Sequence, residues 1–359
     1  MSNARREFLL ELENVKGSVG LEIGPLNKPL VKKEELESNG EIFYLDHLSR
    51  EELQEKFKDE ASVKKDEIVS IDFVCRDGDL LKATSGHTFD YVVASHMIEH
   101  APNLLLFLSD VHNILKPGGT CVLIIPDKRF TFDINRPVST FGSVLENFLS
   151  KAAYPSISAV YDHSAMAVNA NGHNLWHGIV NPDDTRLLAS ESIGWEAAHR
   201  VHKEGHYYDV HVNIFTPESF CSILEQAISH EIVFFEVNKF VDTQVGQIEF
   251  MLQLKKPQNG PNELVKSRCL ASIPKFEIES ILSPYMPQVK SLSFSVEELT
   301  KTNTILQKEL ETLRRDIVTK GHAHNNLQDQ LNAAKATLNR RSVRFTLAVI
   351  ERISKLVGR

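Results

Sequence analysis

The sequence has little cysteine. Four cysteines are spread over 359 residues, and no two of them form a C-x-x-C pair. Cys75 and Cys121 lie in apolar, strand-like runs, where a free thiol is commonly buried. Nothing in this pattern requires an oxidising compartment, so a disulfide-stapled secreted domain is not expected.

Long apolar runs and an excess of basic charge are also missing. No stretch approaches the ~20 apolar residues that a membrane-spanning helix needs, and the N-terminus lacks the apolar core of a signal peptide. The 40 lysines and arginines are outnumbered by 48 aspartates and glutamates, which gives a formal net charge of −8. Because phosphate binding needs a basic field, nucleic acid is not expected as a partner. We expect a cytoplasmic protein.

Short apolar runs alternate with helical patterns in the N-terminal third of the chain. Five strands are predicted there, at 19–23, 41–48, 68–74, 89–95 and 120–125. A helix is predicted over 102–115, a second helix begins at Thr216, and two further strands are expected at 231–237 and 249–255. Strands that alternate with helices predict a parallel sheet covered on both faces, and continuously apolar strands agree with burial on both sides.

The predicted fold class is therefore α/β, with a Rossmann-like, doubly wound, mostly parallel sheet over residues 1–256. The alternation breaks at 128–215, which contains seven of the 15 histidines; we interpret this segment as an inserted substrate cap. Residues 257–295 are rich in proline and are expected to form a linker with little regular structure.

Three strand ends could together form a nucleoside site. Gly24 follows the first strand directly and lets a ligand approach the backbone. Asp46, at the end of the second strand, could accept hydrogen bonds from two ribose hydroxyls, and Asp79 with Leu80, after the third, could accept from an adenine amine. Each position alone is more often an ordinary loop residue, but their combination describes a nucleoside site.

Several motifs in a fixed order resemble one enzyme family. The order of LEIGP, YLDHL, DGDL, FDYVVASHMIEH, LKPGG and IPDKRFTFD resembles that of the class I methyltransferases that use S-adenosylmethionine (SAM), and the resemblance covers about residues 17–255. More narrowly, the chain is similar to bacterial members found with glycosyltransferases in surface-polysaccharide (O-antigen or lipopolysaccharide) synthesis. The chain departs from the usual E-x-G-x-G-x-G motif, because Leu26 and Lys28 stand at the second and third glycines.

The resemblance implies that SAM is the cofactor and that a sugar or glycan hydroxyl is the methyl acceptor. It places the methionine moiety at Glu22 and Gly24, the ribose at Asp46, and the adenine at Asp79 and Leu80.

A segment at 199–211 is dense in titratable groups. A neutral imidazole can take a proton from a hydroxyl near pH 7, and a carboxylate can orient it. Since alternate residues of a strand share one face, we predict His211 as the general base, oriented by Asp209. His96, at the end of the fourth strand, is expected near the acceptor. Histidines on a surface loop are the alternative interpretation.

Residues after the fifth strand and in the insertion are candidates for substrate binding. Asp127 and Arg129 are expected to hold substrate hydroxyls, and Trp176 to stack on a sugar ring.

No metal ligands are assigned, although a metal-dependent enzyme that uses insertion histidines is one alternative. The candidate ligands for that alternative are His163, His173, His177, His202 and His206. The H-x-x-E-H pattern that begins at His96 also matches a zinc-peptidase motif, but a strand followed by a turn would point its two histidines differently. A further alternative is a non-catalytic nucleoside-binding scaffold that organises a polysaccharide assembly through its tail.

The tail carries a heptad pattern. Nine of twelve seam positions from Leu299 to Leu338 are apolar, which predicts an α-helical coiled coil over 296–340 and a homo-oligomer through 299–338. Asn303 at a seam position favours a parallel dimer. Residues 341–359 predict a basic amphipathic helix for peripheral membrane contact, with packing against a partner protein as the alternative.

Overall fold

The computed structural model describes residues 3–176, 186–205, 208–276, 300–313, 324–338 and 344–357, together with Arg315 and Arg340. The chain divides into two compact units, Met1–Ile281 and Leu282–Arg359.

A seven-stranded sheet organises the first unit. Its strands are β1 (Val19–Ile23), β2 (Glu41–Asp46), β3 (Phe73–Val74), β4 (Phe89–Ser95), β5 (Leu115–Pro126), β6 (Glu236–Val241) and β7 (Glu249–Lys255). The spatial order is β3-β2-β1-β4-β5-β7-β6. The first five strands are parallel, and β7 runs antiparallel to both of its neighbours. The predicted mostly parallel, Rossmann-like α/β sheet is confirmed.

Most helices of the first unit lie in the connections between strands. The helices of this unit are α1 (Asn3–Leu10), α2 (Arg50–Lys56), α3 (Leu80–Ala83), α4 (Leu104–Ile114), α5 (Phe141–Leu149), α6 (Ile157–Met166), α7 (Gly172–Trp176), α8 (Glu191–Glu204), α9 (Pro217–Ser229) and α10 (Glu263–Ser272). The predicted start of α9 is confirmed: Thr216 forms a capping box with Ser219, and Pro217 occupies the first turn.

Both faces of the sheet are buried, as the apolar strands predict. Along β4, Val92 and Ala94 join the core beneath α4 and α9, whereas Tyr91 and Val93 join a second core that includes Phe8 of α1. Alternate residues of one strand therefore support opposite layers of helices.

Several strand boundaries differ from the predictions. The predicted strand 68–74 is reduced to β3, because the Asp72 carboxylate accepts the Tyr44 N–H at 2.9 Å and so takes a bond that the strand backbone would otherwise make. β6 begins five residues later than predicted, at Glu236. β5 already begins at Leu115, with an irregular register against β4.

The expected linker is partly structured. Residues 263–272 form α10, which is capped by Asn262 and buries Val265 and Cys269. Ser272 at its end accepts the Val237 N–H through Oγ at 2.8 Å, which ties the helix to β6. The first unit therefore extends beyond the predicted boundary at residue 256, and within the expected linker of 257–295 the prediction of little regular structure is wrong for Glu263–Ser272.

The insertion between β5 and α9 has a small core of its own. Helices α6 and α8 pack together, with Val160, Ala197, Val201 and Val210 in contact. This packing fixes the chain just before His211. That the insertion caps a substrate stays a prediction.

The second unit contains helices at 300–313, His324–Leu338 and Arg344–Val357. At the eight seam positions whose side-chain exposure is described there, every side chain is less exposed than the described residues next to it: Asn303, Leu306, Leu310, Leu313, Leu327, Leu331, Ala334 and Leu338. The helical part of the prediction is observed, whereas pairing of two chains is not shown.

Within the described ranges, no helix is both long enough and apolar enough to cross a membrane.

Candidate active site

The carboxyl end of β1 is open to a ligand because of Gly24. Its φ is +71°, a conformation that side-chain-bearing residues rarely adopt, and its N–H donates to the Leu45 carbonyl at 2.9 Å. A Cβ at this position would lie 3.5 Å from Cγ of Met97. Because Gly24 has no side chain, its backbone stays accessible to a ligand next to Met97, in the loop that follows β4.

Glu22 holds the loop that replaces the glycine-rich motif. Its carboxylate is buried in β1 and accepts the N–H groups of Leu30 and Val31 at 2.8–3.1 Å. Leu26, at the position of the second motif glycine, itself has a φ of +47°. The loop therefore keeps a left-handed residue at the position of the second motif glycine. Glu22 holds the other end of the loop, at Leu30 and Val31.

Burial raises the pKa of Glu22 to about 7, although the two backbone N–H groups lower it. The folded chain then binds this proton more tightly than the unfolded chain, in which the pKa is near 4.5. The corresponding stabilisation is complete below the unfolded value and is lost as the pH rises through about 7.

We expect Glu22→Gln to remove this pH dependence. Between pH ~4.5 and ~7.5, the unfolding free energy of the wild type should fall by about 3 kcal/mol more than that of the variant. Urea unfolding at several pH values measures the difference. Glu225→Gln, on the exposed side of α9, should behave like the wild type; a Glu22→Gln curve parallel to the wild type would contradict the expectation.

Asp46 is the last residue of β2, next to the end of β1. The N–H and Nδ1 of His47 lie 2.7 and 2.6 Å from its Oδ1, which orients the buried carboxylate. Among the described residues, none forms a hydrogen bond with Oδ2 of Asp46. This oxygen is the acceptor that ribose hydroxyls would use.

Asp79 and Leu80 follow β3, as predicted. The Asp79 side chain accepts the Lys82 N–H and caps α3, and the Leu80 N–H donates to Asp110 at 3.1 Å. These contacts fix the loop, and contact with adenine stays a prediction.

His96 lies at the carboxyl end of β4, in a left-handed conformation with a φ of +51°. Its Nε2 lies 2.6 Å from Glu249 Oε2 and 3.2 Å from Arg5 Nη2, and Arg5 is also paired with Glu249. Burial raises the pKa of Glu249, but His96 and Arg5 more than offset it, so that the pKa is lowered. Strand β7 and helix α1 thus hold the imidazole in place.

His211 is oriented by Asp133. Its Nδ1 lies 2.5 Å from Asp133 Oδ2, and Arg136 binds both the Asp133 carboxylate and the His211 carbonyl at 2.8 Å. Burial raises the pKa of Asp133, but His211 and Arg136 outweigh that effect and lower it. A charged carboxylate therefore faces Nδ1, and Nε2 is the nitrogen left for chemistry.

The prediction that Asp209 orients His211 is wrong. The carboxylate of Asp209 lies 2.6 Å from Lys56 Nζ and 3.0 Å from His100 Nδ1. The physical reason is that residues 208–216 do not form a strand, so alternate side chains do not share a face. The sequence feature that could have indicated Asp133 as the partner of His211 is its position at the end of the IPDKRFTFD motif.

Asp127 and Arg129 form an internal ion pair. The Asp127 carboxylate accepts from Arg129 at 2.6–3.0 Å and from Thr243 Oγ1 at 2.7 Å, and both charged residues are buried. This structural role replaces the predicted binding of substrate hydroxyls. Trp176 stacks on Phe130 with ring centroids 3.9 Å apart, so one face of its indole is already covered.

Only some of the candidate metal-ligating histidines of the insertion lie close to other histidines. The rings of His163 and His211 lie 6.1 Å apart, and His202 belongs to α8. His173 lies in α7, but its side chain falls outside the described part of the structure, as do His177 and His206.

A different group brings metal-ligating atoms together. One ligand atom from each of Glu99, His100 and His211 lies within 4.8 Å of the others. His96, by contrast, ends its strand before the 3-10 turn Ile98–His100, so the H-x-x-E-H pattern does not place two histidines on one helix.

A model of the methyltransferase domain family matches residues 19–227. This match covers more than half of the chain, which therefore belongs to that family. Its cofactor is S-adenosyl-L-methionine, and the accessible backbone at Gly24 together with the Asp46 carboxylate is compatible with that molecule. No curated protein matches the chain.

Several solved structures are similar. A SAM-dependent methyltransferase from Aquifex aeolicus is 12% identical, with 70% of this chain and 89% of that chain covered and a TM-score of 0.34. A methyltransferase from Pyrococcus furiosus is 14% identical, with 72% and 84% covered and a TM-score of 0.30. A putative Zn-dependent alcohol dehydrogenase from Rhodobacter sphaeroides is 17% identical, with 71% and 90% covered and a TM-score of 0.38. At these values the similarities carry no information about the substrate.

Proposed function

We propose that this methyltransferase O-methylates a sugar hydroxyl in bacterial surface-polysaccharide synthesis. The observation that carries the proposal is the Asp133–His211 pair, which is buried near the carboxyl end of β4. The family resemblance of the motifs supports the class of acceptor.

SAM supplies an activated methyl group, so the residues of the chain mainly position the acceptor and accept its proton. Nε2 of His211 faces Glu99 and can take the proton of a hydroxyl, while the Asp133 carboxylate stabilises the imidazolium that forms. His96, held by Glu249, lies at the same end of β4 and can orient the acceptor.

The acceptor class can be tested by incubating the full-length chain with methyl-labelled SAM and a panel of nucleotide sugars and oligosaccharides. We expect label in a product that resists mild base, because a methyl ether survives conditions that cleave a methyl ester. Label on no hydroxyl acceptor, by a chain that binds SAM, would reject the sugar substrate. A chain whose melting temperature SAM does not change would instead support the scaffold alternative.

We further propose that the tail forms a dimer through 299–338 and brings two basic helices to the inner face of the membrane. The apolar heptad positions of the sequence support pairing, and Phe345, Leu347 and Ile350 leave apolar area exposed on the last helix. Two linked helices bind a surface more strongly than one does. The chain would then be cytoplasmic and peripheral.

Light scattering should find a dimer for the full-length chain and a monomer after deletion of residues 296–359. Only the full-length chain should bind anionic vesicles and release them at high salt. Leu310→Gln, at a seam position, should weaken the dimer, whereas Lys308→Gln, at an exposed position, should not. A monomeric full-length chain would refute the coiled coil.

A further inference from the structure

We propose that Glu99, His100 and His211 bind one divalent transition-metal ion. The proposal extends the function proposed above, since the ion would lie where the acceptor hydroxyl is expected. Its first support is geometric, because the three side chains offer ligand atoms within 4.8 Å of one another.

The carboxylate of Glu99 gives the second support. The residue is 1% exposed, and neither carboxylate oxygen forms a hydrogen bond with any described residue. The nearest cationic candidates, His96 Nδ1 and His211 Nε2, lie 3.8 and 4.0 Å from Oε1, beyond hydrogen-bond distance. A buried carboxylate without a partner is costly, and a bound cation removes that cost.

The surroundings of the two imidazoles are those of metal ligands. Asp133 lies against Nδ1 of His211 and directs its Nε2 towards Glu99, while Asp209 lies 3.0 Å from His100 Nδ1. In metal sites, a carboxylate that accepts a hydrogen bond from the non-ligating nitrogen of a histidine fixes the orientation of the ring and raises the basicity of the ligating nitrogen.

The backbone holds the two segments of the cluster together. The N–H groups of Val212 and Asn213 donate to the Glu99 carbonyl at 2.7 and 2.9 Å. The Asn213 side chain donates to the carbonyls of Ile98 and Ala101. The turn after β4 and the chain around His211 are therefore joined on both sides of Glu99.

The ligand types define the class of ion. Two imidazoles with one carboxylate form the ligand set of catalytic zinc sites and of other first-row metal sites that keep a position open. Magnesium and calcium prefer oxygen ligands, so they should bind this cluster weakly.

The ion would change the role of His211. It uses the same Nε2 lone pair as a proton would, so in the loaded site His211 is a ligand and the ion lowers the pKa of the acceptor hydroxyl. The hydroxyl proton then passes to solvent water, and the new O–C bond forms as the S–C bond of SAM breaks.

The test uses the untagged full-length chain after removal of metals with a chelator, with Co²⁺ as the probe. Visible absorption should show one tightly bound ion per chain, displaced by Zn²⁺ but not by Mg²⁺. Glu99→Gln, which preserves shape, should weaken binding by at least about 100-fold, and Asp133→Asn by about 10–100-fold. His112→Gln, in α4 and outside the cluster, is the matched control and should bind Co²⁺ as the wild type does.

A wild-type chain that binds no stoichiometric Co²⁺ overturns the proposal, as does a folded Glu99→Gln chain that binds it equally well. Circular dichroism of each variant separates loss of binding from loss of fold. Calorimetry with SAM and the methyl-transfer assay are run on the same samples. Metal binding without methyl transfer would reject only the proposed function, whereas unchanged transfer by a chelated chain that binds no Co²⁺ would reject only the metal site.

Discussion

Replacing His211 with alanine is expected to slow methyl transfer by about 10²–10⁴-fold, which is the usual contribution of an imidazole that handles the proton of a reacting hydroxyl. The affinity for SAM should change by no more than a few fold, because its expected contacts lie at the ends of β1 and β2. Single-turnover kinetics with labelled SAM and calorimetry measure the two quantities separately.

Asp133→Asn is the companion variant. It keeps the size of the side chain but removes the charge that faces Nδ1 of His211, so the rate should fall and the pH profile should change. His199→Ala, on the exposed surface of α8, is the control and should leave the rate unchanged. If His211→Ala retains turnover within a few fold of the wild type, the proton leaves by another route and His96 becomes the next candidate.

Much of the sheet could be predicted because its strands are apolar on both faces. The predicted bounds of 19–23, 89–95 and 249–255 agree with β1, β4 and β7. The edge strand β3 was overestimated, since a run of strand-forming residues does not reveal that the Asp72 side chain will replace a backbone bond. An apolar run in the sequence indicates a buried strand, whereas the residue at which the strand ends depends on tertiary contacts.

The active-site partners were harder to predict than the strands. Asp209 and His211 are close in sequence, but Asp133, 78 residues earlier, supplies the carboxylate. Sequence spacing predicts a pair only when the secondary structure is known, and the segment around His211 has none. The carboxylate of Glu99 was missed for another reason: a glutamate in a sequence does not reveal whether its fold leaves it a hydrogen-bond partner.

The glycine motif shows how a departure from a family pattern can be compatible with function. Leu26 adopts the left-handed conformation that a glycine adopts at no cost, and buried Glu22 stabilises the far end of the same loop. The loop therefore remains ordered around Gly24, whose backbone is the one that a ligand approaches.

Replacing Asp46 with alanine should weaken SAM binding by well over about 100-fold. A charged acceptor contributes about 1.5–3 kcal/mol per hydrogen bond, and the carboxylate is expected to accept from two ribose hydroxyls. Calorimetry gives the affinity directly. His47→Ala is the matched control, because it removes the imidazole beside Oδ1 of Asp46 but keeps the His47 N–H bond and the carboxylate itself. If Asp46 binds the ribose, Asp46→Ala should be far more damaging than His47→Ala. Equal losses for the two variants would mean that Asp46 serves only to hold His47, and an unchanged affinity would remove Asp46 from the cofactor site.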